Sequence, residues 1–323
     1  MGAVRVDQGV MMISKTANLG MTTIAALAAQ VGVAGPAVEK VPCYEISTSL
    51  VGVDCFGQPA GLYGIAISPN GEYVCGYYEP CLGENRAFVY KKSTNQLQSL
   101  PLAPGFYRMS AADVNDNGIV VGEGDTTALG FRGWVYNLNT QQYTILHPFP
   151  GGAWCGASAI NSSNVVCGWR SIGTKNDPVN PFTAFYWTQG PGGGTFTDLG
   201  LIGGLPTLGE DINDQGWVTG RILSGLSNTP FIWHDNEITV LRTLAGFSTS
   251  SSAIDNKGTV VGGSQVANPS PPPAVLAHAT RWHAGRIADL GMLPSHDRSY
   301  AHGISESGLI VGRSASSTSE LGV

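Results

Sequence analysis

An all-β fold, a six-bladed β-propeller of four-stranded antiparallel blades, is what this sequence predicts, and three observations predict it. A ten-residue pattern recurs six times along the 323 residues. Each copy is followed, in the same order, by an aromatic-ended strand and a leucine-bearing strand. No stretch beyond residue 40 sustains a helical period.

The pattern is "DVNDNGIVVG" (113–122), "AINSSNVVCG" (159–168), "DINDQGWVTG" (211–220), "AIDNKGTVVG" (253–262) and "GISESGLIVG" (303–312), with "AISPNGEYVCG" (66–76) one residue longer. The closing glycines Gly76, Gly122, Gly168, Gly220, Gly262 and Gly312 fall at steps of 46, 46, 52, 42 and 50, a spacing that fits propeller blades. A small residue stands ahead of each copy: Gly64, Ala111, Ala157, Gly209, Ser251 and Ala301. After the glycine come "RAFVY" (86–90), "RGWVY" (132–136), "TAFYW" (183–187), "TPFIW" (229–233) and "HATRW" (278–282), then Leu100, Leu146, Leu199, Leu241 or Leu290. Each unit therefore reads as a four-stranded meander. Small inner residues let strands crowd a narrow channel, and aromatics two apart share one face that buries against the next blade.

The stretch "DVNDNGIVVGE" (113–123) also places Asp113, Asn115, Asn117 and Gly118 at the first positions of an EF-hand loop. Its twelfth position is Gly124, however, and the segment that follows is β-branched rather than helical. Asn-Asp-Asn-Gly is read as a tight hairpin connection, not an ion site.

Charged residues make up 12% of the chain, with 44 Gly and 19 Pro, a turn-rich profile. The net charge of −6 and the lack of a basic patch argue against nucleic acid as partner. Residues 1–38 read as a secretory leader: an over-called start (1–10), Lys15, an apolar run (19–37) and cleavage near Ala34–Ala37. A buried or membrane helix is the competing reading of that run. The mature chain, a single domain over 43–323, is then secreted or held at the cell envelope, without a membrane span. Cys43, Cys55, Cys75, Cys81, Cys155 and Cys167 make an even count that suits an oxidising compartment, with local pairing (43–55, 75–81, 155–167) as one of many options. Six unpaired core thiols are the alternative. The sixth repeat reaches only two strands before residue 323, so "CYEISTSL" (43–50) is expected to supply its outer strand and close the ring.

These signatures resemble the HAF repeat, an extracellular repeat family whose units run as a small-residue strand, Ile-Asn-x-x-Gly-x-Val-Val-Gly, His-Ala-Phe-Leu-Trp and a Leu-Gly-x-Leu strand. "INDQGWVTG" (212–220), "TAFYW" (183–187), "DLGLIGGLP" (198–206) and "DLGMLP" (289–294) carry the likeness, over about residues 62–313. Only His278 keeps the motif's histidine, where Arg86, Arg132, Thr183 and Thr229 stand in other repeats. The resemblance implies a secreted or surface β-propeller-like protein and brings no catalytic motif.

Three constellations could carry function. Asp113, Glu210, Asp211 and His302 sit on inner strands where other repeats have small or apolar residues, and could bind a ligand or act as acid and base, or simply be solvated channel residues. His278, His283, His296 and His302 gather late in the chain, but their spacing matches no metal signature. "GAWCG" (152–156), "GTKNDPVNP" (173–181) and "NPSPPPAV" (268–275) are insertions of the kind that carry binding on a rigid scaffold. With no nucleophile motif and no nucleotide-binding fingerprint, no cofactor is expected. The primary expectation is a non-enzymatic binding module for carbohydrate, surface polymer or protein. A secreted hydrolase or lyase using Glu210, Asp211 and His302, or a structural module of a longer surface protein, are the other readings.

Overall fold

In every repeat the small residue of the innermost strand faces the closing glycine across the strand pair. Gly64 pairs with Gly76, Ala111 with Gly122, Ala157 with Gly168, Gly209 with Gly220, Ser251 with Gly262 and Ala301 with Gly312. Directly after that residue each of the six inner strands carries a β-bulge. A bulge inserts one extra residue and bends its strand, here aiming that residue into a central channel. The bend presses a carbonyl onto the glycine: a Cβ on Gly76 would overlap the Tyr63 oxygen, and one on Gly220 the Leu208 oxygen. On its other flank the glycine pairs with the aromatic of the third strand, Phe88, Trp134, Phe185 or Phe231. The Trp134 ring lies over Gly122 and the Phe231 ring over Gly220. No residue with a side chain fits between.

The computed structural model describes residues 61–316 apart from 82, 128–129, 148–151, 174–180, 191–192, 226, 246–247 and 267–275, together with the strands Ala3–Asp7, Val10–Met12 and Cys43–Glu45. Among these residues there is no helix. Five four-stranded antiparallel blades follow in chain order, each with its strands in sequence. The first comprises Gly61–Ile67, Tyr73–Glu79, Arg86–Lys91 and Gln96–Ser99, and the second Phe106–Val114, Ile119–Thr126, Gly130–Asn137 and Gln142–Ile145. The third comprises Cys155–Ile160, Val166–Ser171, Phe182–Thr188 and Thr195–Gly200, and the fourth Thr207–Ile212, Val218–Ser224, Ser227–His234 and Glu237–Val240. The fifth comprises Thr249–Ile254, Val260–Val266, Leu276–His283 and Arg286–Asp289.

The sixth repeat forms only a two-stranded sheet, Arg298–Ile304 with Ile310–Ala315. The expected six full blades are thus corrected to five, because among the described residues no aromatic strand follows Gly312. The expected closure is corrected as well. Cys43–Glu45 pairs with Ala3–Asp7, which pairs in turn with Val10–Met12, in a separate three-stranded sheet. Of that sheet it is Val10–Met12 that packs most against Ile310–Ala315 and Gly61–Ile67. Residues 46–50 and the apolar run 19–37 lie outside the described residues.

The core is a set of seams between blades. Cys75, Ala87 and Val89 of the first blade meet Met109, Trp134 and Tyr136 of the second. Val121 and Val135 of the second meet Phe185 and Trp187 of the third. Each aromatic face therefore packs on the preceding blade, and burying one such ring contributes about 1.5–3 kcal/mol. Phe88, whose preceding sector is the incomplete one, packs among the described residues with Tyr78, Leu62 and Leu97 of its own blade.

One end of the ring holds every tight turn between first and second strands. In the stretch with calcium-loop spacing, Gly118 donates its N–H to the Asn115 carbonyl (3.1 Å) at φ 72°. The Asn115 side-chain oxygen accepts the N–H groups of Asn117 and Ile119 (both 3.1 Å), an Asx turn. In the "NSSN" copy, Asn164 takes the positive φ (62°) that glycine takes elsewhere, which Asn tolerates. The amide nitrogen of the turn asparagine then reaches across to the next blade. Asn115 Nδ2 donates to the Asn161 carbonyl (2.9 Å), Asn161 to the Asn213 carbonyl (3.0 Å) and Asn213 to the Asp255 carbonyl (3.0 Å). All four are buried. Asp255 caps its own turn but has no amide to pass on, so the chain of pins runs from the second blade to the fifth.

Among the described residues no disulfide forms, which corrects the expected pairs 75–81 and 155–167; Cys43 takes no part that the structure describes and Cys55 lies outside. Cys75, Cys155 and Cys167 are buried thiols, with Cys155 Sγ donating to the Leu146 carbonyl (3.1 Å). Burial pushes all three up from the ordinary thiol value, Cys155 to about 11. They behave as small apolar core residues.

Two outcomes follow. Alkylation of the native protein should leave Cys75, Cys155 and Cys167 unmodified and label them after unfolding; mass spectrometry of the peptides reads it, and labelling of native Cys167 would contradict the packing. Replacing Asn161 with Ala removes two turn caps and one cross-blade pin, and should lower stability by about 2–4 kcal/mol in urea unfolding, against near-zero for exposed Ser163→Ala.

Candidate functional site

The bulged residues Ile65, Ala112, Ser158, Glu210, Ser252 and His302, one from each repeat, line a central cavity of about 340 Å³ together with Asp113 and Asp211. The four residues singled out in the sequence are thus brought to one channel. Two of them have a structural duty that sequence reading missed. Asp113 accepts the N–H of Val114 (2.8 Å) on one oxygen and that of Ile160 in the next blade (2.9 Å) on the other. Asp211 does the same with Ile212 (2.8 Å) and Ile254 (2.8 Å). Each aspartate pins two adjacent inner strands. Burial nevertheless outweighs these bonds: Asp113 is pushed up to about 7, with the charge of Asp211 adding to the effect, and Asp211 to about 6.

Glu210 and His302 occupy bulge positions, where the backbone makes no demand on the side chain. Glu210 pairs with Arg221 (2.9 Å), which partly offsets the upward push of burial. His302 stacks at 6.5 Å from Tyr300, over which Arg313 also lies. Loss of hydration and then Arg313 hold the His302 imidazolium down from its ordinary value. The other three histidines of the late cluster go elsewhere: His278 to Asp289 (2.7 Å), His283 to the Thr259 hydroxyl (3.0 Å) and His296 to that of Ser314 (2.9 Å). Among the described residues no three His, Cys, Asp or Glu side chains are grouped to hold a metal ion.

At the ring end opposite the tight turns, the connections between second and third strands are longer in the first, third and fifth blades, and 174–180 and 267–275 within them lie outside the described residues. Here four partly exposed aromatics of the second and third blades form a row. Phe131 stacks on Trp169 (5.7 Å, 22°), Trp169 meets Phe182 edge-on (5.2 Å, 87°), and Phe182 meets Trp154 (6.5 Å). Gly130, at φ 74°, leaves the space that the Trp154 indole fills. Glu123 hydrogen-bonds Trp169, yet burial, with Glu210 and Asp125 adding, pushes it up to about 7. Beside it, a cavity of about 230 Å³ holds the Arg108–Asp125 pair (2.6 Å), Asn85 and Ser110. The insertion "GAWCG" therefore does supply a surface aromatic, while Phe131, Trp169 and Phe182 are not among the sequence-predicted site residues, and Glu123 figures there only as part of the calcium-loop spacing. Their signal was available: Trp169 and Glu123 directly follow closing glycines, a position that reaches this face.

The fold is that of a β-propeller. The β-propeller domain of the Trilobed protease from Pyrococcus furiosus, described as having an open velcro topology, superposes with a TM-score of 0.53 at 11% identity, over 80% of this chain and 78% of that one. A prolyl endopeptidase studied for inter-domain dynamics gives 0.50 at 12% identity, over 76% of this chain and 37% of that one. The acylaminoacyl peptidase of Pyrococcus horikoshii gives 0.47 at 12%, over 76% and 41%. This chain thus spans less than half the length of the two whole peptidases. Identity this low makes the likeness one of fold. No protein-family model and no curated protein matches the chain.

Glu123, Asp113 and Asp211 share a sign in their pH linkage. A carboxyl whose folded value lies above its unfolded one stabilises fully below the unfolded value, about 4, and loses that contribution as pH rises through the folded value. The melting temperature should therefore fall as pH rises from 5 to 8. Glu123→Gln, which keeps an acceptor for Trp169, should flatten that slope near pH 7; an unchanged slope would place Glu123 in an ordinary solvated state.

Proposed function

We propose that this protein is a secreted or surface-associated, non-enzymatic binding module of the HAF-repeat type, and that it holds a carbohydrate chain on its loop-bearing face, across the channel mouth. The observation that carries the reading is the row Phe131–Trp169–Phe182–Trp154 with Glu123 hydrogen-bonded to Trp169 within it. Aromatic faces offer large, rigid contact area to the C–H side of a sugar ring, and a few convergent polar groups fix its orientation. Glu123, Asp125 and Arg108 are such groups. The leader-like N-terminus and the repeat resemblance support export, and the scaffold of pinned blades supports rigid presentation of the loop face.

Titration calorimetry against a panel of neutral polysaccharides, with parallel assay for reducing ends and unsaturated products, tests this. Association with at least one glycan is expected without turnover, and Trp169→Ala and Phe131→Ala should each weaken it about tenfold or more, a loss of about 1.4 kcal/mol. Turnover that disappears in Glu210→Ala would replace this reading with acid–base chemistry in the channel. Unchanged affinity in both aromatic variants, with unchanged melting temperatures, would move the ligand off this face.

A further inference from the structure

The opposite, turn-bearing end holds a second groove, between the fourth and fifth blades, of about 440 Å³. That size lies within the range of roughly 300–1,000 Å³ usual for small-ligand sites. Its charge is unlike that of the chain. The molecule carries a net −6, yet Arg242, Lys257 and Arg286 all line this groove, with His283 beside them and no carboxylate among the lining residues. Among the described residues none of the three makes an ion pair with a carboxylate, and Lys257 Nζ donates instead to the Glu306 backbone carbonyl (2.7 Å). The Glu306 carboxylate accepts the Asn256 N–H (3.1 and 3.2 Å), and Asp235 faces His234 (3.4 Å).

The groove is also built to a fixed shape. Trp217 stacks on His234 at 4.3 Å and 17°, and a Cβ on Gly258 (φ 72°) would collide with its ring. The Trp282 indole N–H donates to the Arg242 carbonyl (2.7 Å), which fixes the backbone from which that guanidinium projects. His283 is held by the Thr259 hydroxyl (3.0 Å). Between the cations the wall is apolar, with Trp217, Ile232 and half-exposed Val240.

We infer that this groove is a binding site for an acidic sugar unit, a ring bearing a carboxylate or sulfate group. A guanidinium pairs with such an anion in a two-point, charge-assisted geometry. The indole and aliphatic wall takes the ring's C–H face. A neutral sugar would leave three cations uncompensated, and a bare inorganic anion would leave the apolar wall unused. The site is independent of the loop face in position and in chemistry.

The experiment is calorimetric titration of the full chain with four probes: a uronic-acid oligosaccharide, a sulfated oligosaccharide, a neutral oligosaccharide of equal length and a poly-glutamate peptide. Binding of at least one of the two acidic sugars is expected, and which of them binds identifies the anion. Raising the salt from 50 to 300 mM should weaken it several-fold, as screening requires. The exposed double variant Arg242→Ala/Arg286→Ala should lose at least tenfold in affinity with its melting temperature intact. Trp217→Phe should keep part of the affinity, while Trp169→Ala on the other face should leave it unchanged. Absence of acidic-sugar binding, affinity untouched in the double variant, neutral probe bound as tightly, or poly-glutamate bound in preference would each overturn the assignment.

Discussion

The fit of a glycine between a bulged inner strand and an aromatic ring is the constraint on which the rest of this structure depends. At each closing glycine the second strand is approached from one side by a carbonyl of its own blade and, in four blades, from the other by Phe or Trp. Removal of the side chain at that one position allows the bulge, and the bulge turns one residue per repeat towards the axis. Sheets crowd around a narrow channel only if their inner strands are small, so the same interlock sets where the channel lies and which residues can line it.

Hydrogen bonds then join the blades in ways that apolar packing alone would not specify. The turn asparagines reach from the second blade to the fifth, and Asp113 and Asp211 tie the second to the third and the fourth to the fifth. The series stops where that slot holds Asp255, Ser305 or Ser68, none of which has a side-chain amide to reach the next blade; the Ser68 hydroxyl donates instead to Asn70 Oδ1 within its own turn (2.9 Å). Among the described residues the apolar seam thins at the same place, since Phe88 packs with residues of its own blade. Among the described residues the sector between Ile310–Ala315 and Gly61–Ile67 is therefore the thinnest join, and it is the one that the strand Val10–Met12 approaches.

Much of this was legible in the sequence because it repeats. The closing glycines, the small residues opposite them and the aromatics two apart gave blade count to within one incomplete sector, and strand order throughout. What failed was whatever depended on a single copy. Cysteine parity suggested disulfides, but Cys75 and Cys167 fill the same repeat slot in two different blades, directly before the closing glycine, and Cys155 sits at a seam against Leu146. The stretch 43–50 fits the sixth sector as an unassigned strand ending in Leu50 ahead of Gly76, and that spacing does not say that Ala3–Asp7 will pair with its first residues. The asparagine segment reads as a tight hairpin connection; the cross-blade bond of its amide needs the neighbouring blade in place before it exists. The aromatic row was missed because its members come from three different slots of two repeats.

The same distinction sorts the channel residues. Asp113 and Asp211 follow the bulge by one position, where the side chain meets the backbone of the next blade, so the scaffold has a use for both of their oxygens. Glu210 and His302 are the bulged residues themselves, at a slot that holds Ile, Ala and Ser in other repeats with the backbone unchanged. A slot that accepts such variety without disturbing the ring is free to change chemistry. Selection for a ligand at the axis would act there and on the two faces, where Trp169 and Trp217 stand in positions that their repeats fill with Glu123 or Arg221 in one case and Thr259 or Leu309 in the other. The ring supplies geometry through what is constant in the repeat, and specificity through what is not.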